Sequence, residues 1–204
     1  SNLVPGDTNG TLDVFVRTAD ATFRASVAGD GSELALPSSA PDVTRTGSGL
    51  LRTTLVSFQT AAAIDPGDAN GTTDVYVRRI RILQPALTTL VSRGGAVAAA
   101  AGGYGASMTA DGQQIAFITA APLDAADPVN GDTDAYVRDV GAGTTVLASR
   151  PTGLAGKQDG LVYAAQITRD GSGVAFITDA RNLGGTLPAT TSRAVYFRRF
   201  PATT

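Results

Sequence analysis

The chain repeats itself with a period of about 60 residues, and this internal repeat constrains its fold more than any other feature. Four copies of a short apolar segment begin 61, 60 and 60 residues apart. They are Asp13-Val-Phe-Val-Arg17, Asp74-Val-Tyr-Val-Arg78, Asp134-Ala-Tyr-Val-Arg138 and Ala194-Val-Tyr-Phe-Arg198. A second series, beginning at Ser57, Ala116 and Ala175, recurs every 59 residues. The agreement of the two series predicts a tandem array of one structural unit.

Each unit is predicted to contain four short β-strands, because its segments are β-branched, aromatic and separated by turn signals. Strand A ends in Met108-Thr109-Ala110 or Ile167-Thr168-Arg169. An Asp-Gly pair follows, Asp111-Gly112 or Asp170-Gly171, whose glycine tolerates the positive φ of a tight hairpin. The following strands are B (Gln114 to Thr119, Val174 to Thr178), C (Asp74 to Arg79) and D (Leu87 to Ser92, Thr144 to Ser149). The chain then contains strands C-D, two complete sets A-B-C-D, and A-B-C, which makes thirteen strands.

The predicted fold class is all-β: a β-propeller, or part of one, built from four-stranded antiparallel blades with repeats of about 60 residues. Each blade of a propeller buries both faces, and strand C carries Val75 and Val77 on one face and Tyr76 on the other. A single domain is expected over 1–204, with units at about 1–40 (partial), 41–103, 104–160 and 161–204 (partial). An open β-solenoid or a sandwich is the alternative. The chain is either a fragment of a larger propeller or closes a small ring by sharing one blade between its ends.

Three consecutive strings resemble the TolB-type β-propeller repeat, namely residues 110 to 119, 130 to 139 and 144 to 149. They contain an Asp-Gly turn, an Ala-Phe strand, an Asp-x-Tyr-Val strand and a closing Ala-Ser strand. The resemblance covers nearly the whole chain and implies a propeller that docks proteins in the periplasm or outside the cell. It also allows a gating propeller of a peptidase.

Composition excludes several classes of function. The chain has no Cys and no His, which excludes disulfide frameworks, the usual zinc sites and any Ser-His-Asp triad. The formal net charge of −2 provides no surface of the kind that nucleic acids require. No apolar run approaches the ~20 residues of a membrane-spanning helix, so no membrane insertion is expected.

The loop between strands B and C is the polar cluster that repeats. The first acidic loop has Asp7, Asn9 and Asp13, the second has Asp68, Asn70 and Asp74, and the third has Asp127, Asn130 and Asp134. Oxygen ligands spaced around a glycine-assisted bend resemble the beginning of a calcium-binding loop. Weak Ca²⁺ binding at these nine residues is therefore one hypothesis, with a Kd of ~10⁻⁴ to 10⁻³ M.

The alternative is that Asn-Gly forms a tight turn, which the Asp side chains cap through hydrogen bonds to backbone amides. The fourth unit is an internal comparison, because Ala194 replaces the Asp that opens strand C while Val195-Tyr196-Phe197-Arg198 persists. Strand C therefore does not require an acidic loop.

These patterns predict a non-enzymatic, periplasmic or secreted module that presents loops to a protein partner. Arg17, Arg78, Arg138 and Arg198 recur at the end of strand C and are expected to pair with an Asp or a backbone carbonyl of their own blade. A carbohydrate-active enzyme is an alternative, since sialidase-type chemistry uses Tyr and Arg without His. The repetition of Asp111 and Asp170 at hairpin turns argues for a structural role of these carboxylates.

Overall fold

The computed structural model describes residues 3–19, 21–81, 84–95, 98–151, 158–184 and 192–200. These residues form thirteen strands and one 3-10 turn, Gly49–Leu51. The strands are β1 (Phe15–Arg17), β2 (Thr22–Arg24), β3 (Ser38–Thr46), β4 (Thr53–Thr60), β5 (Asp74–Arg81), β6 (Gln84–Leu90), β7 (Tyr104–Met108), β8 (Gln114–Thr119), β9 (Asp134–Asp139), β10 (Thr144–Leu147), β11 (Val162–Ile167), β12 (Gly173–Thr178) and β13 (Ala194–Arg199).

The strands form four antiparallel sheets in chain order. The first sheet is β1-β2, the second β3-β4-β5-β6, the third β7-β8-β9-β10 and the fourth β11-β12-β13. The all-β prediction and the count of two, four, four and three strands are confirmed. The fourth strand of the second sheet spans Gln84–Leu90, so it begins and ends earlier than predicted. Closure of the sheets into a ring is not found among the described residues.

Consecutive sheets pack face to face through three apolar clusters. Val75 and Val77 of β5 belong to the cluster between the second and third sheets, whereas Tyr76 belongs to the cluster between the first and second. All three side chains are buried. The prediction that Val75 and Val77 on one face and Tyr76 on the other are buried is therefore confirmed for β5, and the alternation of side chains along a strand explains it.

One aromatic pair recurs in each of the last three sheets. The rings of Phe58 and Tyr76 lie 6.1 Å apart, and two further pairs, Phe117 with Tyr136 and Phe176 with Tyr196, lie 6.0 and 6.1 Å apart. The interplanar angle is 24° in every pair. Each pair joins directly opposed residues of neighbouring strands, which places a large ring pair at the same point of these three sheets.

The recurring arginines connect neighbouring sheets. Arg78 Nη1 donates to the Ala28 carbonyl at 3.5 Å, and Arg138 Nη1 donates to the Arg93 carbonyl at 3.5 Å. Arg198 Nη1 reaches the Arg150 carbonyl at 3.0 Å. The expected partner was an Asp or a backbone carbonyl of the same blade, but these carbonyls follow the last strand of the preceding sheet. Within the same sheet, threonine hydroxyls accept from Arg17, Arg78 and Arg138 at 3.0, 2.8 and 3.0 Å. The arginines thus stabilise the stacking of sheets.

The Asp-Gly turns form as predicted. Gly112 and Gly171 have φ values of +65° and +73°, in the left-handed region that favours glycine. Asp111 Oδ1 accepts a hydrogen bond from the Gln113 amide at 3.0 Å, and Asp170 Oδ1 accepts one from the Ser172 amide at 3.0 Å. Both carboxylates therefore hold the turn in which they lie.

Candidate functional site

The three acidic loops precede β1, β5 and β9. Asp74 and Asp134 are the first residues of β5 and β9, and Asp13 lies two residues before the start of β1. Asp74 and Asp134 are fully buried, and Asp68 and Asp127 at the start of their loops are also buried. Burying a charged carboxylate is costly unless hydrogen bonds compensate for the lost water. The contacts of these side chains therefore determine what the loops can do.

A serine lies beside the strand-opening Asp in all three units. Ser26 Oγ donates to Asp13 Oδ1 at 2.8 Å, Ser149 Oγ donates to Asp134 Oδ1 at 2.9 Å, and Ser92 Oγ donates to Asp74 Oδ1. Each serine oxygen also accepts the backbone N–H that follows the Asp, at 2.9, 2.9 and 3.0 Å. The serine hydroxyl thus bridges the Asp carboxylate and the backbone N–H of the next residue, and it holds both in place at the start of the strand.

In the first two loops, the Asn amide lies beside the same carboxylate. Asn70 Nδ2 donates to Asp74 Oδ2 at 2.6 Å and to the Ala99 carbonyl at 2.8 Å, while its Oδ1 accepts the Thr72 N–H at 2.8 Å. Asn9 makes the matching contacts with Asp13, Leu34 and Thr11. The Asn oxygen therefore binds a backbone amide of its own turn, and its NH₂ group lies where a cation would lie beside the carboxylate.

The third loop is one residue longer and uses a different amide. Asn130 Nδ2 donates to Asp132 Oδ2 at 2.9 Å, and Asn130 Oδ1 accepts the Asp132 N–H at 3.0 Å. Gln158 is buried and donates through Nε2 to Asp134 Oδ1 at 3.1 Å. A glutamine from the following segment therefore adds a donor to the same carboxylate oxygen that accepts from Ser149.

The first Asp of the second and third loops accepts a tyrosine hydroxyl. Tyr76 Oη donates to Asp68 Oδ2, and Tyr136 Oη donates to Asp127 Oδ2. Burial, and next the hydrogen bond to its Asp, raises the pKa of each tyrosine above its usual range. Both hydroxyls consequently stay protonated and keep donating at all ordinary pH values.

In the first loop, a different group stabilises the carboxylate of the first Asp, Asp7. Phe15 occupies the tyrosine position and has no hydroxyl. Arg24, which lies opposite Phe15 in the register, occupies the position of Leu90 and Leu147. Its guanidinium lies 3.1 Å from Asp7 Oδ1 and 3.5 Å from Asp13 Oδ2. A cation therefore replaces the tyrosine hydroxyl in this unit.

Glu33 completes an acidic cluster in the first unit. Its Oε1 lies 2.6 Å from Arg24 Nη1, and carboxylate oxygens of Asp7, Asp13 and Glu33 all lie within 4.8 Å of one another. Hydrogen bonding to the Thr8 hydroxyl is the main cause that lowers the pKa of Glu33 to about 2. The cluster holds three carboxylates, and its resident cation is the guanidinium of Arg24.

The electrostatics of the second loop differ from those of the first. Burial is the main cause that raises the pKa of Asp74, and the nearby charge of Asp68 adds to it. The hydrogen bonds from Ser92 and Asn70 oppose this shift without cancelling it. Two carboxylates are thus held together by neutral donors, with no described arginine or lysine between them.

All nine residues proposed as calcium ligands lie in this recurring network, and the structure brings the two Asp side chains of the second loop together. The Asn side chains accept backbone amides of their turns, as the turn-capping alternative predicts. Asp13, Asp68 and Asp74 accept side-chain donors instead of the backbone amides that this alternative expected, and calcium binding stays a prediction. The fourth sheet has Ala194 at the strand-opening position. Within the described part of that sheet there is also no fourth strand to bring a serine to this point.

The sequence patterns did not identify Ser26, Ser92 and Ser149, nor Arg24, Glu33 and Gln158. The serines are separated from their Asp by 13, 18 and 15 residues, so they do not follow the period of the repeat. The strand register locates them instead, because each serine lies two residues beyond the residue that pairs with the aromatic residue of strand C.

Comparison with known proteins finds no matching family model and no matching curated protein. Among the described residues, no helix has the length and apolar character needed to cross a membrane.

Proposed function

We propose that this chain is a non-enzymatic, β-propeller-type module that binds a protein partner in the periplasm or outside the cell. The observation that carries the proposal is that the repeated polar groups bind one another within the chain. The carboxylates of the acidic loops accept hydrogen bonds from Tyr, Ser, Asn or Gln side chains of the same scaffold, or pair with Arg24. Groups used in this way support the shape of the loops rather than a reaction.

The order and stacking of the sheets support a propeller architecture. Four-stranded antiparallel meanders that bury both faces against their neighbours are the units of this fold. The second and third sheets each have that form, and the TolB-type strings lie on the third sheet and its loops.

Exposed apolar side chains on the acidic loops support a role in protein binding. Leu12 in the first loop is 70% exposed and Val129 in the third loop is 87% exposed. They lie in the equivalent loops of the first and third units, beside the hydrogen-bonded turns. Apolar groups presented on rigid loops are typical of protein-binding surfaces.

An enzyme is the second candidate, and a groove of about 910 Å³ between the third and fourth sheets is the observation that favours it. Asp111, Asp139 and Asp170 line this groove together with Arg169 and Arg199. A general acid requires a raised pKa. Hydrogen bonding to a neighbouring threonine is the main cause that lowers the pKa of Asp111, and likewise that of Asp170 to about 2. Asp111 and Asp170 are therefore poorly suited to act as the general acid of a glycoside hydrolysis.

The test is a panel of glycan and peptide substrates incubated with the purified chain. The proposal predicts no turnover above that of a sample without protein. Turnover that disappears in both Asp111→Asn and Asp170→Asn, with the fold retained by circular dichroism, would overturn it in favour of an enzyme at the groove.

A further inference from the structure

Each of the three acidic loops contains an Asn followed directly by Gly, and this dipeptide is chemically reactive. The three pairs are Asn9-Gly10, Asn70-Gly71 and Asn130-Gly131. The backbone nitrogen of a residue that follows Asn can attack the carbonyl carbon of the Asn side chain, which is one reason why Asn is a thermolabile residue. Glycine favours this attack, because it has no side chain to hinder the approach and its backbone is the least restricted.

In the first two loops, the fold ties down the Asn amide. Asn70 is partly buried, and its Nδ2 donates to the buried Asp74 carboxylate and to the Ala99 carbonyl, 29 residues further along the chain. Asn9 is also partly buried and is held by the same two kinds of hydrogen bond. Attack by the glycine expels Nδ2, so both hydrogen bonds have to break. The loop must therefore open locally before the reaction.

The Asn of the third loop lies in different surroundings. Asn130 is exposed, and its amide donates to Asp132 in a hydrogen bond that is itself exposed to solvent. Water can replace an exposed hydrogen bond at little cost. Apart from the two residues that adjoin Gly131, no described atom lies within 4 Å of the position that a Cβ would take on this glycine. Exposure and open space both favour the attack here.

We propose that Asn130 is a site of spontaneous covalent modification, at which Gly131 displaces the side-chain amide. The Gly131 backbone nitrogen forms a bond to Asn130 Cγ and loses its proton, and the Cγ–Nδ2 bond breaks as ammonia leaves. The product is a succinimide ring. Water, the one co-reactant, then opens the ring at either of its two carbonyl carbons, which yields an aspartate or an isoaspartate residue.

The modification changes the charge and the shape of the third loop. It replaces the amide donor of Asn130 with a carboxylate that lies beside Asp132, and like charges repel. The isoaspartate form also adds one methylene group to the backbone of the loop. Val129, which is 87% exposed, adjoins the modified residue. The surface of this loop therefore changes as the protein ages. The reaction needs no partner, so it does not depend on the proposed function.

Asn182 serves as a comparison within the same chain. It is also exposed, but the residue that follows it is Leu183. The branched side chain of leucine hinders the approach of its backbone nitrogen to the Asn carbonyl carbon. Exposure without a following glycine should therefore leave Asn182 intact.

The experiment incubates the intact chain at mildly alkaline pH, folded or unfolded in guanidinium chloride, and follows each Asn by mass spectrometry of proteolytic peptides. In the folded chain, Asn130 is expected to lose its amide about tenfold or more faster than Asn9 and Asn70, whose part-buried hydrogen bonds must first break. In denaturant the three rates should converge, because the dipeptide is the same. Asn182 should react slowest under both conditions.

The products and one variant test the route. Direct hydrolysis of the amide gives aspartate alone, so isoaspartate at Asn130 identifies the ring as the intermediate. Gly131→Ala should slow the reaction in denaturant too, where the positive φ of the folded loop is not required. Equal rates at Asn130 and Asn70 in the folded chain, a ranking that persists in denaturant, or aspartate without isoaspartate would overturn the proposal.

Discussion

The first and second units hold the same buried carboxylate by different chemistry. In the second unit, Asp68 accepts the hydroxyl of Tyr76, and the residue opposite that tyrosine is the buried Leu90. In the first unit the tyrosine is Phe15, the leucine is Arg24, and Asp7 pairs with the guanidinium. The two changes compensate each other, since one removes the hydrogen-bond donor and the other supplies a charged one. In both units the buried carboxylate thus has a hydrogen-bond donor, although the two units use different residues to supply it.

The exchange alters how each unit responds to its surroundings. A hydroxyl-to-carboxylate hydrogen bond keeps its donor at any ordinary pH, because the pKa of Tyr76 is raised. An arginine that bridges Asp7, Asp13 and Glu33 is an ion-pair network, which depends on the ionisation of three acids. Substitutions that remove the contacts of one unit and leave those of the other intact can therefore test this difference.

The largest effect is expected for Arg24→Leu. The side chain of Arg24 is 8% exposed, and its loss leaves the carboxylates of Asp7 and Asp13 buried without their cation. Removing one partner of a buried ion pair costs about 3–5 kcal/mol. Urea unfolding at neutral pH measures this loss. Arg81→Leu, at an exposed arginine, should change the free energy of unfolding by less than about 0.5 kcal/mol; a similar loss in both variants contradicts the assignment.

A smaller loss is expected for Tyr136→Phe in the third unit. The substitution keeps the ring that stacks on Phe117 and removes the donor to Asp127 Oδ2. Leaving a buried acceptor without its donor costs about 1–3 kcal/mol. Tyr104→Phe is the matched control, because Tyr104 is 40% exposed and the same atom is removed. Equal free energies of unfolding for the two variants would show that the hydroxyl of Tyr136 contributes nothing.

The units should also differ in their response to acid. The pKa of Glu33 is lowered from 4.5 to about 2, so its contribution to stability is present above about pH 4.5 and is lost as the pH falls toward 2. The pKa of Asp74 is raised, so proton uptake there favours the folded state as the pH falls. Glu33→Gln should flatten the fall in stability between pH 4.5 and 2, and Asp74→Asn should not. Identical profiles for Glu33→Gln and the parent chain contradict the sign given for Glu33.

Calcium is expected to have the smallest effect. Weak binding at the second and third loops would stabilise the fold by on the order of 1 kcal/mol when the ion exceeds Kd a few-fold. Asp68→Ala should reduce the calcium-dependent rise in melting temperature. Asp7→Ala should not, because Arg24 already lies between the carboxylates of the first loop. The absence of any rise at millimolar calcium would leave turn capping as the account of all three loops.

The sequence was sufficient to predict the strands because their signals are local. The β-branched runs, the Asp-Gly turns and the period of the aromatics gave the strand count and the two buried faces of Val75, Tyr76 and Val77. The acidic loops were recognised as a set for the same reason. Their chemistry was not predictable in this way, because the deciding contacts come from other segments.

Two features of the chain prevented the prediction of those contacts from residue spacing. The hairpins after the acidic loops differ in length, so Ser26, Ser92 and Ser149 follow no fixed spacing from their Asp. The exchange of Tyr and Leu for Phe15 and Arg24 is visible only once the register places the two residues opposite each other. Glu33 and Gln158 likewise reach their partners across loops of irregular length.

Phe15 with Arg24 should be interchangeable, in stabilising the first Asp of the loop, with the Tyr and Leu found at the same positions in the second and third units. A double-mutant cycle in the first unit tests this claim most directly. The cycle compares urea unfolding of the parent chain, Phe15→Tyr, Arg24→Leu and the double variant. Phe15 and Asp7 have the same sequence separation as Tyr76 and Asp68, so the new hydroxyl can reach Asp7. The account predicts that Phe15→Tyr recovers at least about 1 kcal/mol in the Arg24→Leu background and less in the parent chain. A double variant no more stable than Arg24→Leu alone would contradict it.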